Sequence, residues 1–491
     1  MNQYFMDFYA HVSQYIQAEL SQETNPPVKH ISYDSRDIKE NTLFLCKGRA
    51  FKRKYLLHAI EEGACSYIAE KDMGVNIPGI IVKDIRKALV LACEYYFDFP
   101  QNKLKAIAIT GTKGKSTTCY LLFEILKNAF PNQVALISSI QNFDGKKAYP
   151  SHLTTPEPIE LFQLLSQSVE NNVKYLILEA SSQAFKYERL YHIPFIQGGF
   201  LNLSEDHISP IEHENFEDYF QSKMKIFQQG QKNFLNLDTK YLDKILPLAN
   251  KSPKLICLSQ KKEANYQGHI SKQLGHGFVL HVNDKDYLLS LLGNYNAENA
   301  LMAIAMAKEL QIDDKIIQDS LRDLQVPGRS QLLISKNKKI AILVDFAHNK
   351  LSFEAIFDLA KEIAPDSFKA CVFGSVGDKA KNRREGLGQV AGKMADYVYL
   401  TSDNPGKEGL EAINKEIVPY LKGYVIIDNR QEAITKAFLD AENRKGKTLL
   451  LLLGRGTEIG ESKGGTMVES PSDLHLAKKL LEEYDDKSWL D

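Results

Sequence analysis

Short runs of apolar residues alternate along the chain with longer amphipathic stretches. The short runs have the length of strands, and several are apolar almost throughout, which is typical of a parallel sheet that helices cover on both faces. The predicted strands are Ala106–Thr110, Tyr175–Glu179, Gly199–Leu203, Phe234–Leu237, Ile340–Phe346, Ala370–Gly374, Tyr397–Thr401 and Thr448–Leu453. The predicted helices are Ser116–Ala129, Pro158–Asn171, Tyr295–Leu310, Ser352–Ile363 and Gln431–Ala441. This alternation predicts an α/β fold.

Two proline-containing breaks divide this alternation. One lies at Asp98–Asn102 and the other at Val326–Arg329. The chain has 491 residues, and at about 150 residues per domain this length predicts about three domains. We therefore expect domains at 1–101, 102–327 and 328–491, each large enough to bury a core of its own.

The net charge of the chain limits the kinds of molecule that it is expected to bind. There are 61 Lys and Arg against 62 Asp and Glu, so the net charge of −1 gives no long-range attraction to nucleic acids or anionic membranes. No apolar run approaches the ~20 residues that span a bilayer, and the N-terminus lacks a secretory signal pattern. The six cysteines are scattered without a CxxC pair, which is typical of reduced thiols. We expect a cytoplasmic protein without nucleic acid or membrane partners.

The strongest chemical motif follows the predicted strand Ala106–Thr110. It reads Gly111-Thr112-Lys113-Gly114-Lys115-Ser116-Thr117, and a helical pattern comes directly after it. Glycines let backbone N–H groups turn around phosphate oxygens, and the positive end of the next helix points at them. Lys115 is placed to reach the β- and γ-phosphates, and the Ser116 hydroxyl to bind Mg²⁺. A glycine is usual five residues before Gly114, and Ile109 stands there, so the loop is a shortened variant.

Two further polar residues stand near the carboxyl ends of predicted strands, where α/β sheets bind their ligands. Glu179 ends one strand, and His207 follows the next. Together with the phosphate loop they predict a site for a second divalent cation. Lys223 lies in an amphipathic helical stretch, and its residue type alone indicates no more than a solvated side chain.

The order of these motifs resembles the Mur ligase family, whose members build the peptide stem of bacterial peptidoglycan. The motifs are TGTKGKST, TTPEP, LEASSQ, NLSEDH, YFQSK, GNYNAEN, PGR, DFAH and SDNP, and they cover nearly the whole chain. Asp34-Ser35-Arg36, followed by Leu43-Phe44, resembles the uridine-nucleotide domain of the MurE type, which adds the third amino acid. The resemblance implies an N-terminal uridine-nucleotide domain, a central P-loop ATPase-like domain with a parallel sheet, and a C-terminal Rossmann-like domain.

The resemblance also implies roles for individual residues. Implied contacts to ATP are Gly111, Thr112, Lys113, Gly114, Lys115, Ser116, Thr117, Asn296, Asn299, Arg329, Asp345 and His348. Implied ligands of Mg²⁺ are Ser116, Glu179, His207 and Lys223, the last as N6-carboxylysine, a carbamylated lysine with a negative charge. Implied contacts to UDP-MurNAc-L-Ala-D-Glu are Ser35, Arg36, Thr154, Thr155, Pro156, Ser181 and Arg189. The implied catalytic group is Lys115, Glu179, His207 and Lys223.

Some positions depart from the commoner family pattern. Lys113 stands where Asn is usual, Gln183 replaces His, Phe346 replaces Tyr, and Ser330-Gln331 replaces Met-Glu. Because both glycines, the lysine and the serine of the phosphate loop are retained, we expect an intact nucleotide site on a divergent branch.

The segment around Gly406 bears on which amino acid is added. In family members that add meso-diaminopimelate, an arginine follows Asp-Asn-Pro and can clamp the distal carboxylate. Gly406 stands at this position, which favours L-lysine as the added amino acid. L-ornithine stays open because it differs from L-lysine by one methylene. Meso-diaminopimelate stays open because Lys407 can replace the arginine in part. Implied amino-acid contacts are Asp403, Asn404, Pro405, Gly406, Glu408 and Glu458, with Glu408 the candidate acid for a distal ammonium and Glu458 for the α-ammonium.

The resemblance thus implies a monomeric, ATP-dependent ligase of peptidoglycan precursor synthesis. The terminal carboxylate of UDP-MurNAc-L-Ala-D-Glu attacks the γ-phosphate of ATP, and the α-amine of the amino acid then displaces phosphate from the acyl phosphate. Three alternatives stay open. They are a folylpolyglutamate synthase of the same fold, which would lack the uridine domain, a P-loop ATPase that ligates nothing, and an inactive paralogue that binds the same nucleotide-linked peptide.

Overall fold

The computed structural model describes residues 3–48, 51–205, 208, 212–378 and 381–487. Elements are numbered in chain order. The first hundred residues form β1 (Gln3–Tyr4), α1 (Phe5–Tyr15), β2 (Ala18–Leu20), β3 (Pro27–Val28), β4 (His30–Ser32), β5 (Thr42–Leu45), α2 (Arg53–Glu61), β6 (Ala64–Ala69), β7 (Gly79–Val82) and α3 (Ile85–Tyr96). A short 3-10 turn at Pro100–Asn102 leads into the next part of the chain.

The middle of the chain has the largest set of elements. These are β8 (Lys105–Thr110), α4 (Lys115–Ala129), β9 (Val134–Ile137), β10 (Asn142–Phe143), β11 (Ala148–Tyr149), α5 (Pro158–Glu170), β12 (Tyr175–Glu179), α6 (Ser182–Lys186), β13 (Phe195–Phe200), α7 (Phe216–Met224), α8 (Ile226–Gln229), β14 (Gly230–Asn236), α9 (Leu242–Ala249), β15 (Leu255–Ser259), β16 (Tyr266–Leu274), β17 (Gly277–Val282), β18 (Lys285–Leu289), α10 (Asn296–Lys308) and α11 (Asp314–Leu321).

The last part of the chain again alternates strands and helices. Its elements are β19 (Gln331–Ile334), β20 (Ile340–Asp345), α12 (Lys350–Ile363), β21 (Phe368–Phe373), α13 (Asn382–Met394), β22 (Tyr397–Leu400), α14 (Leu410–Ile417), a 3-10 turn (Val418–Tyr420), β23 (Tyr424–Ile426), α15 (Arg430–Asn443), β24 (Thr448–Leu453), β25 (Glu461–Lys463), β26 (Thr466–Val468) and α16 (Asp473–Lys487).

Three larger sheets organise these elements. Their strand orders are β2-β7-β6-β5-β4, then β11-β10-β9-β12-β8-β13-β14-β15-β16-β17-β18, and β19-β20-β24-β21-β22-β23. The inner strands run parallel, and antiparallel pairs occur towards the edges, at β2, at β10 and β11, at β17 and β18, and at β19. The predicted α/β class is therefore confirmed. Within the described residues, no helix is both long and apolar enough to cross a membrane.

Several predicted strands differ from the observed ones at their ends, and Gly199–Leu203 differs most. The apolar run Gly199–Leu203 is only partly a strand, because β13 covers Phe195–Phe200 and the chain then enters a loop. Leu201 and Leu203 stay buried in that loop. The Leu201 N–H donates to the Thr110 carbonyl at 3.0 Å, and the Leu203 N–H donates to the Thr239 hydroxyl at 2.9 Å. Burial of these side chains therefore continues past the end of the strand.

The strand that leads into the phosphate loop lies inside the largest sheet. β8 pairs in parallel with β12 on one side and with β13 on the other. The register places Glu179 opposite Ile109 and Phe200 opposite Thr110, so the carboxyl ends of the three strands are level. This arrangement brings the loops after β8, β12 and β13 to one edge of the sheet, where ligands bind in this class of fold.

A continuous apolar core joins the first and the largest sheets. Phe8 of α1 and Leu89 of α3 belong to the same buried cluster as Leu161 of α5 and Phe195 of β13. The six-stranded sheet instead has a separate apolar cluster on each face. The apolar run of β24 lies between β20 and β21 at the middle of that sheet, fully covered on both faces.

A buried acid lies where residues 1–101 meet the central sheet. Glu94 of α3 is inaccessible to solvent. Its carboxylate pairs with the His11 ring at 2.7 Å and the His192 ring at 2.9 Å, and accepts a hydrogen bond from Gln101 at 2.7 Å. Burial alone would raise the pKa of Glu94, but the hydrogen bonds from the two histidines outweigh it and lower that pKa. The hydrogen bond to Glu94 raises the pKa of His192.

We predict that His192→Gln lowers the thermal stability more at about pH 6 than at about pH 9. The charge of His192 stabilises the fold fully below its unfolded pKa of about 6.5, and this contribution is lost as the pH rises through the higher folded value. Thermal unfolding at both pH values measures the difference. His281→Gln is the matched control, since His281 pairs with Asp286 on the surface, where ion pairs contribute little. Equal losses for His192→Gln at both pH values would contradict the prediction.

Candidate active site

The phosphate loop runs from the end of β8 into α4. Gly114 has a φ of +84°, a left-handed conformation that favours glycine. A Cβ on Gly114 would also overlap the side-chain oxygen of Asn299. Asn299 donates to Asn296 at 2.8 Å, and Asn296 donates to the Leu292 carbonyl at 2.7 Å. These bonds fix the first turn of α10, and the Asn299 side chain lies against Gly114.

Lys115 begins α4 and folds back over the phosphate loop. Its Nζ donates to the carbonyls of Gly111 at 3.0 Å and Thr112 at 3.2 Å. The loop itself is held by Asn202, whose carbonyl accepts from the Thr112 N–H at 2.9 Å and whose side chain accepts from the Lys113 N–H at 2.9 Å. The lysine head group is thus held beside a rigid, N–H-rich turn at the start of a 15-residue helix, an arrangement that suits phosphate.

The carboxylate of Glu179 forms the centre of a hydrogen-bond network. It is only 2% exposed. It accepts hydrogen bonds from the Ser116 hydroxyl at 3.0 Å, the Ser139 N–H at 2.9 Å and the Ser139 hydroxyl at 3.1 Å. Nη2 of Arg329 donates to the Ser116 and Ser139 hydroxyls at 3.1 Å and 3.0 Å. The oxygen atoms of Glu179, Ser116 and Ser139 are the hard donors that Mg²⁺ prefers.

Lys223 is buried beneath the phosphate loop. It lies near the end of α7, is 1% exposed, and its Nζ donates to the Gly111 carbonyl at 2.7 Å. The Nζ also lies 4.9 Å from the centre of the Tyr219 ring. His207, expected as a metal ligand, falls outside the described residues. Within the described residues, no three His, Cys, Asp or Glu side chains group closely enough to hold a metal ion.

The residues expected to contact the nucleotide-linked peptide fall into two places. Thr155, Ser181 and Arg189 lie together: the Thr155 hydroxyl donates to the Glu179 carbonyl at 2.7 Å and accepts from the Ser181 N–H at 3.1 Å. Arg189 donates to the Thr155 carbonyl at 3.0 Å. Thr154 and Pro156 flank Thr155 in the chain. Ser35 and Arg36 follow β4, where the exposed Arg36 guanidinium pairs with Asp34 at 2.7 Å.

Arg329, Asp345 and His348 come together at the edge of the six-stranded sheet. Asp345 ends β20 and accepts from the Ser330 and Ala347 N–H groups, both at 2.7 Å. Burial raises the pKa of Asp345 against the opposing charge of Arg329. The Arg329 guanidinium lies 4.3 Å from the centre of the Phe346 ring, and the His348 Nδ1 pairs with the Phe346 carbonyl at 2.8 Å. Arg329 therefore links this edge to the phosphate loop.

The segment expected to bind the amino acid forms a tight turn beside β25. Asn404 donates to the carboxylates of Asp403 at 3.3 Å and Glu458 at 3.4 Å. Burial and the negative charge of Asp403 raise the pKa of Glu458 to about 7, and burial raises that of Asp403. Pro405 continues the turn into Gly406, which has a φ of +61° and donates to the Ser462 carbonyl at 2.9 Å.

Glu408, expected as the acid for a distal ammonium, is already engaged. Arg384 of α13 donates to both of its carboxylate oxygens, at 2.9 Å and 2.7 Å, and the Asp378 N–H donates at 3.0 Å. The hydrogen bonds from Arg384 lower the pKa of Glu408 to about 2. This pairing favours a structural role for Glu408. Asp403 and Glu458 form no ion pair within the described residues, so they are the acids better placed for an ammonium group.

Comparisons with known proteins match most of the chain to one family. The Mur ligase middle domain model matches residues 109–307, and the model of the Mur ligase glutamate ligase domain matches 328–456. A UDP-N-acetylmuramoyl-L-alanyl-D-glutamate–L-lysine ligase of Streptococcus mutans serotype c is 36% identical over 468 residues, covering 93% of this chain and 94% of the relative. The chain belongs to the Mur ligase family.

Two further comparisons extend over most of this Mur ligase. An enzyme of the same name from Enterococcus faecalis is 34% identical, with 92% of each chain covered. A solved structure of a UDP-N-acetylmuramoyl-L-alanyl-D-glutamate–2,6-diaminopimelate ligase has a TM-score of 0.66 at 23% identity and covers 99% of both chains. The latter comparison supports the fold alone. Together with the three sheets, these matches confirm the Mur ligase architecture expected from the motifs.

Sequence reasoning missed three residues that hold the site of this Mur ligase together. Ser139 and Asn202 each follow a buried strand, and that position at the ligand-binding edge of the sheet is the one signal for them in the sequence. Arg384 lies in a helix among other charged residues and has no such signal. Its side chain is fully buried, and its Nε–H finds no acceptor in the part of the chain that the structure describes.

We predict that Gly114→Ala reduces ATP binding at least about tenfold. A left-handed conformation costs a residue with a Cβ about 1–2 kcal/mol, and the new methyl group would also displace Asn299 from the phosphate loop. Calorimetric titration with a non-hydrolysable ATP analogue measures the loss. Gly446→Ala is the control, because Gly446 has a φ of +92° but open space at its Cβ position. Binding by Gly114→Ala equal to that of the wild type would contradict this account of the loop.

Proposed function

We propose that this Mur ligase catalyses the ATP-dependent addition of L-lysine to UDP-MurNAc-L-Ala-D-Glu in peptidoglycan precursor synthesis. The observation that carries the proposal is the full-length match to ligases named for this reaction, at 34% to 36% identity. Gly406 supports lysine, because the arginine clamp expected in ligases that add meso-diaminopimelate has no counterpart at this position.

The first step of the proposed reaction brings two anions together, and cations beside the phosphate loop would offset their repulsion. A carboxylate oxygen of the D-glutamyl residue attacks the γ-phosphorus of ATP, the bond to the bridging oxygen breaks, and ADP leaves. The α-amine nitrogen of lysine then attacks the acyl phosphate carbon, the amine loses a proton, and inorganic phosphate leaves. Lys115 and Arg329, both fixed by hydrogen bonds around the phosphate loop, would offset charge in the first step.

The metal site is proposed from the oxygen donors at Glu179. Ser116 and Glu179 would hold Mg²⁺, with the Ser139 hydroxyl adjacent, and His207 is proposed as a further ligand. When bound, Mg²⁺ neutralises charge on the phosphate oxygens. The buried position of Glu179 and its network of hydroxyl donors support this assignment.

Lys223 is proposed to carry a carbamate. The ammonium first loses a proton to solvent, the neutral amine then attacks CO₂ so that an N–C bond forms, and a second proton leaves the nitrogen to solvent. The side chain thereby changes from a cation to an anion. The nitrogen retains one N–H, which can keep the hydrogen bond to the Gly111 carbonyl. An unmodified ammonium group would repel a bound metal, whereas the carbamate provides oxygen donors for it.

The domain and substrate assignments are part of the proposal. Residues 1–101 would bind the uridine nucleotide, 102–327 ATP, and 328–491 the amino acid. Asp403 and Glu458, beside Asn404, would hold the ammonium groups of lysine. We propose that the enzyme acts as a monomer in the cytoplasm, where its nucleotide substrates are made.

We predict that phosphate release from ATP and Mg²⁺ requires both UDP-MurNAc-L-Ala-D-Glu and L-lysine. The panel contains L-lysine, L-ornithine, meso-diaminopimelate, L-glutamate and L-alanine, with each product checked by mass. One methylene in a pocket changes the free energy by about 1–3 kcal/mol, so we expect lysine to exceed ornithine by about tenfold or more. A preference for meso-diaminopimelate would overturn the assignment from Gly406. Release that needs neither co-substrate would favour the P-loop ATPase.

We predict that the wild-type protein in carbon-13 bicarbonate has a carbamate signal and that Lys223→Ala lacks this signal. We also expect Lys223→Ala to lower the ligase activity at least about a hundredfold. Nuclear magnetic resonance detects the labelled carbon. Lys225→Ala is the matched control, since Lys225 lies two residues away and pairs with Glu188 at 2.6 Å. A Lys223→Ala variant that retains the signal would contradict carbamylation of this residue.

A further inference from the structure

One lysine of the first sheet reaches into the central part of the molecule. Lys47 lies two residues after β5, and its ammonium contacts the carboxylate of Glu157 just before α5. The other carboxylate oxygen of Glu157 forms an ion pair with the Arg189 guanidinium at 2.5 Å. Lys47 and Glu157 are 21% and 24% exposed, and Arg189 is 9% exposed. Lys47, Glu157 and Arg189, here termed the Lys47 cluster, therefore join two parts of the chain at a partly open position.

The Lys47 cluster is connected to the reacting centre by a short path of hydrogen bonds. Arg189 donates to the Thr155 carbonyl at 3.0 Å, and the Thr155 hydroxyl donates to the Glu179 carbonyl at 2.7 Å. The Glu179 carboxylate in turn accepts from Ser116 of the phosphate loop at 3.0 Å. Thr155 and Glu179 alone thus separate the cluster from the loop that would bind the γ-phosphate.

The cluster contains more positive charge than its carboxylate balances. Lys47 and Arg189 share the single carboxylate of Glu157, and the buried Nε–H of Arg189 has no acceptor among the described residues. Two ionisable neighbours lie nearby: burial raises the pKa of Glu160, and burial raises that of Tyr33 to about 12. A ligand with an anionic oxygen would satisfy both the surplus charge and the unpaired donor.

The position of Lys47 also allows it to move between partners. Its Nζ lies 4.4 Å from the centre of the Tyr33 ring, so the side chain rests on an aromatic face and only its tip contacts Glu157. A lysine ammonium is a compact charge on a flexible stem and can redirect its hydrogen bonds with little rearrangement. Arg189, in contrast, is fixed by Thr155 and Glu157.

We propose that Lys47 is a substrate-binding residue, and that its ammonium, with Arg189, binds the carboxylate of the D-glutamyl residue that is not phosphorylated. This inference rests on the proposed function, since it requires a substrate with two carboxylates on its last residue. One carboxylate must lie at the γ-phosphate, and the other then lies one glutamyl side chain away from it. In the structure, Thr155 links Arg189 of the Lys47 cluster directly to Glu179. Glu157 holds both cations in place until the substrate binds.

The test compares Lys47→Met with Lys47→Arg and with the control Lys54→Met. Methionine keeps the apolar stem on Tyr33 but removes the charge, and arginine restores it. Lys54 also lies over a tyrosine, with its Nζ 5.5 Å from the centre of the Tyr55 ring, and within the described residues it contacts no carboxylate. Thermal unfolding of each variant checks that the fold is retained, and Lys47→Gln provides a second neutral variant.

For Lys47→Met, we expect KM for UDP-MurNAc-L-Ala-D-Glu to rise about 10- to 100-fold, which is the usual effect of losing one hydrogen bond to a charged group. KM for ATP and for L-lysine should change less than about twofold, and Lys47→Arg should recover most of the loss. Lys54→Met should behave as the wild type. A fall in kcat with all KM values unchanged, or no change at all, would overturn the proposal.

Direct binding separates the two anionic groups of the substrate. UDP-MurNAc-L-Ala has the diphosphate but lacks D-glutamate, so Lys47→Met should bind it as tightly as the wild type and should bind UDP-MurNAc-L-Ala-D-Glu more weakly. Equal weakening for both would overturn the carboxylate assignment and place the ammonium at the diphosphate. A wild-type protein without lysine-dependent phosphate release would refute the proposed function instead, and the binding comparison would still test Lys47.

Discussion

The buried carboxylate of Glu179 is the interaction on which the geometry of the site depends. A carboxylate this deeply buried is destabilising unless hydrogen bonds and nearby charge compensate it. Here the compensation comes from Ser116 at the start of α4 and from Ser139 after β9, and Arg329 in turn donates to both hydroxyls. These residues belong to three separate parts of the chain. One negative charge therefore fixes the phosphate loop, the neighbouring strand and the entry to the six-stranded sheet relative to one another.

The positive groups around this centre are held before any substrate arrives. Lys115 donates to carbonyls of the phosphate loop, and Arg189 is held by Thr155 and Glu157. A reaction between two anions needs such charges in place, because they act without reorganising during the reaction. The nearly neutral net charge of the chain gives no sign of these fixed cations.

The turn around Gly406, which is expected to bind the added amino acid, shows how residues remote in sequence constrain one position. Gly406 adopts a left-handed conformation, and a Cβ there would overlap the carboxylate of Asp378. The same carboxylate accepts from the Lys407 N–H at 2.7 Å, and the Asp378 N–H donates to Glu408. A larger residue at position 406 would therefore require the loop that contains Asp378 to move. The pairing of Glu408 with Arg384 strengthens this constraint.

The sequence by itself determined the architecture and the chemistry of the phosphate loop. Short uninterrupted apolar runs such as Thr448–Leu453 are typical of strands that are covered on both faces. The order of glycines before Lys115 and Ser116 is a local pattern that a short segment contains completely. The tertiary structure alone decided the partners of Glu94, the engagement of Glu408 by Arg384, and the reach of Lys47 to Glu157. Such pairs are distant along the chain, and a charged residue has the same appearance in a sequence whether it is solvated or paired. Their roles follow from which strands become neighbours, because hydrogen bonds and ion pairs act over only a few ångströms.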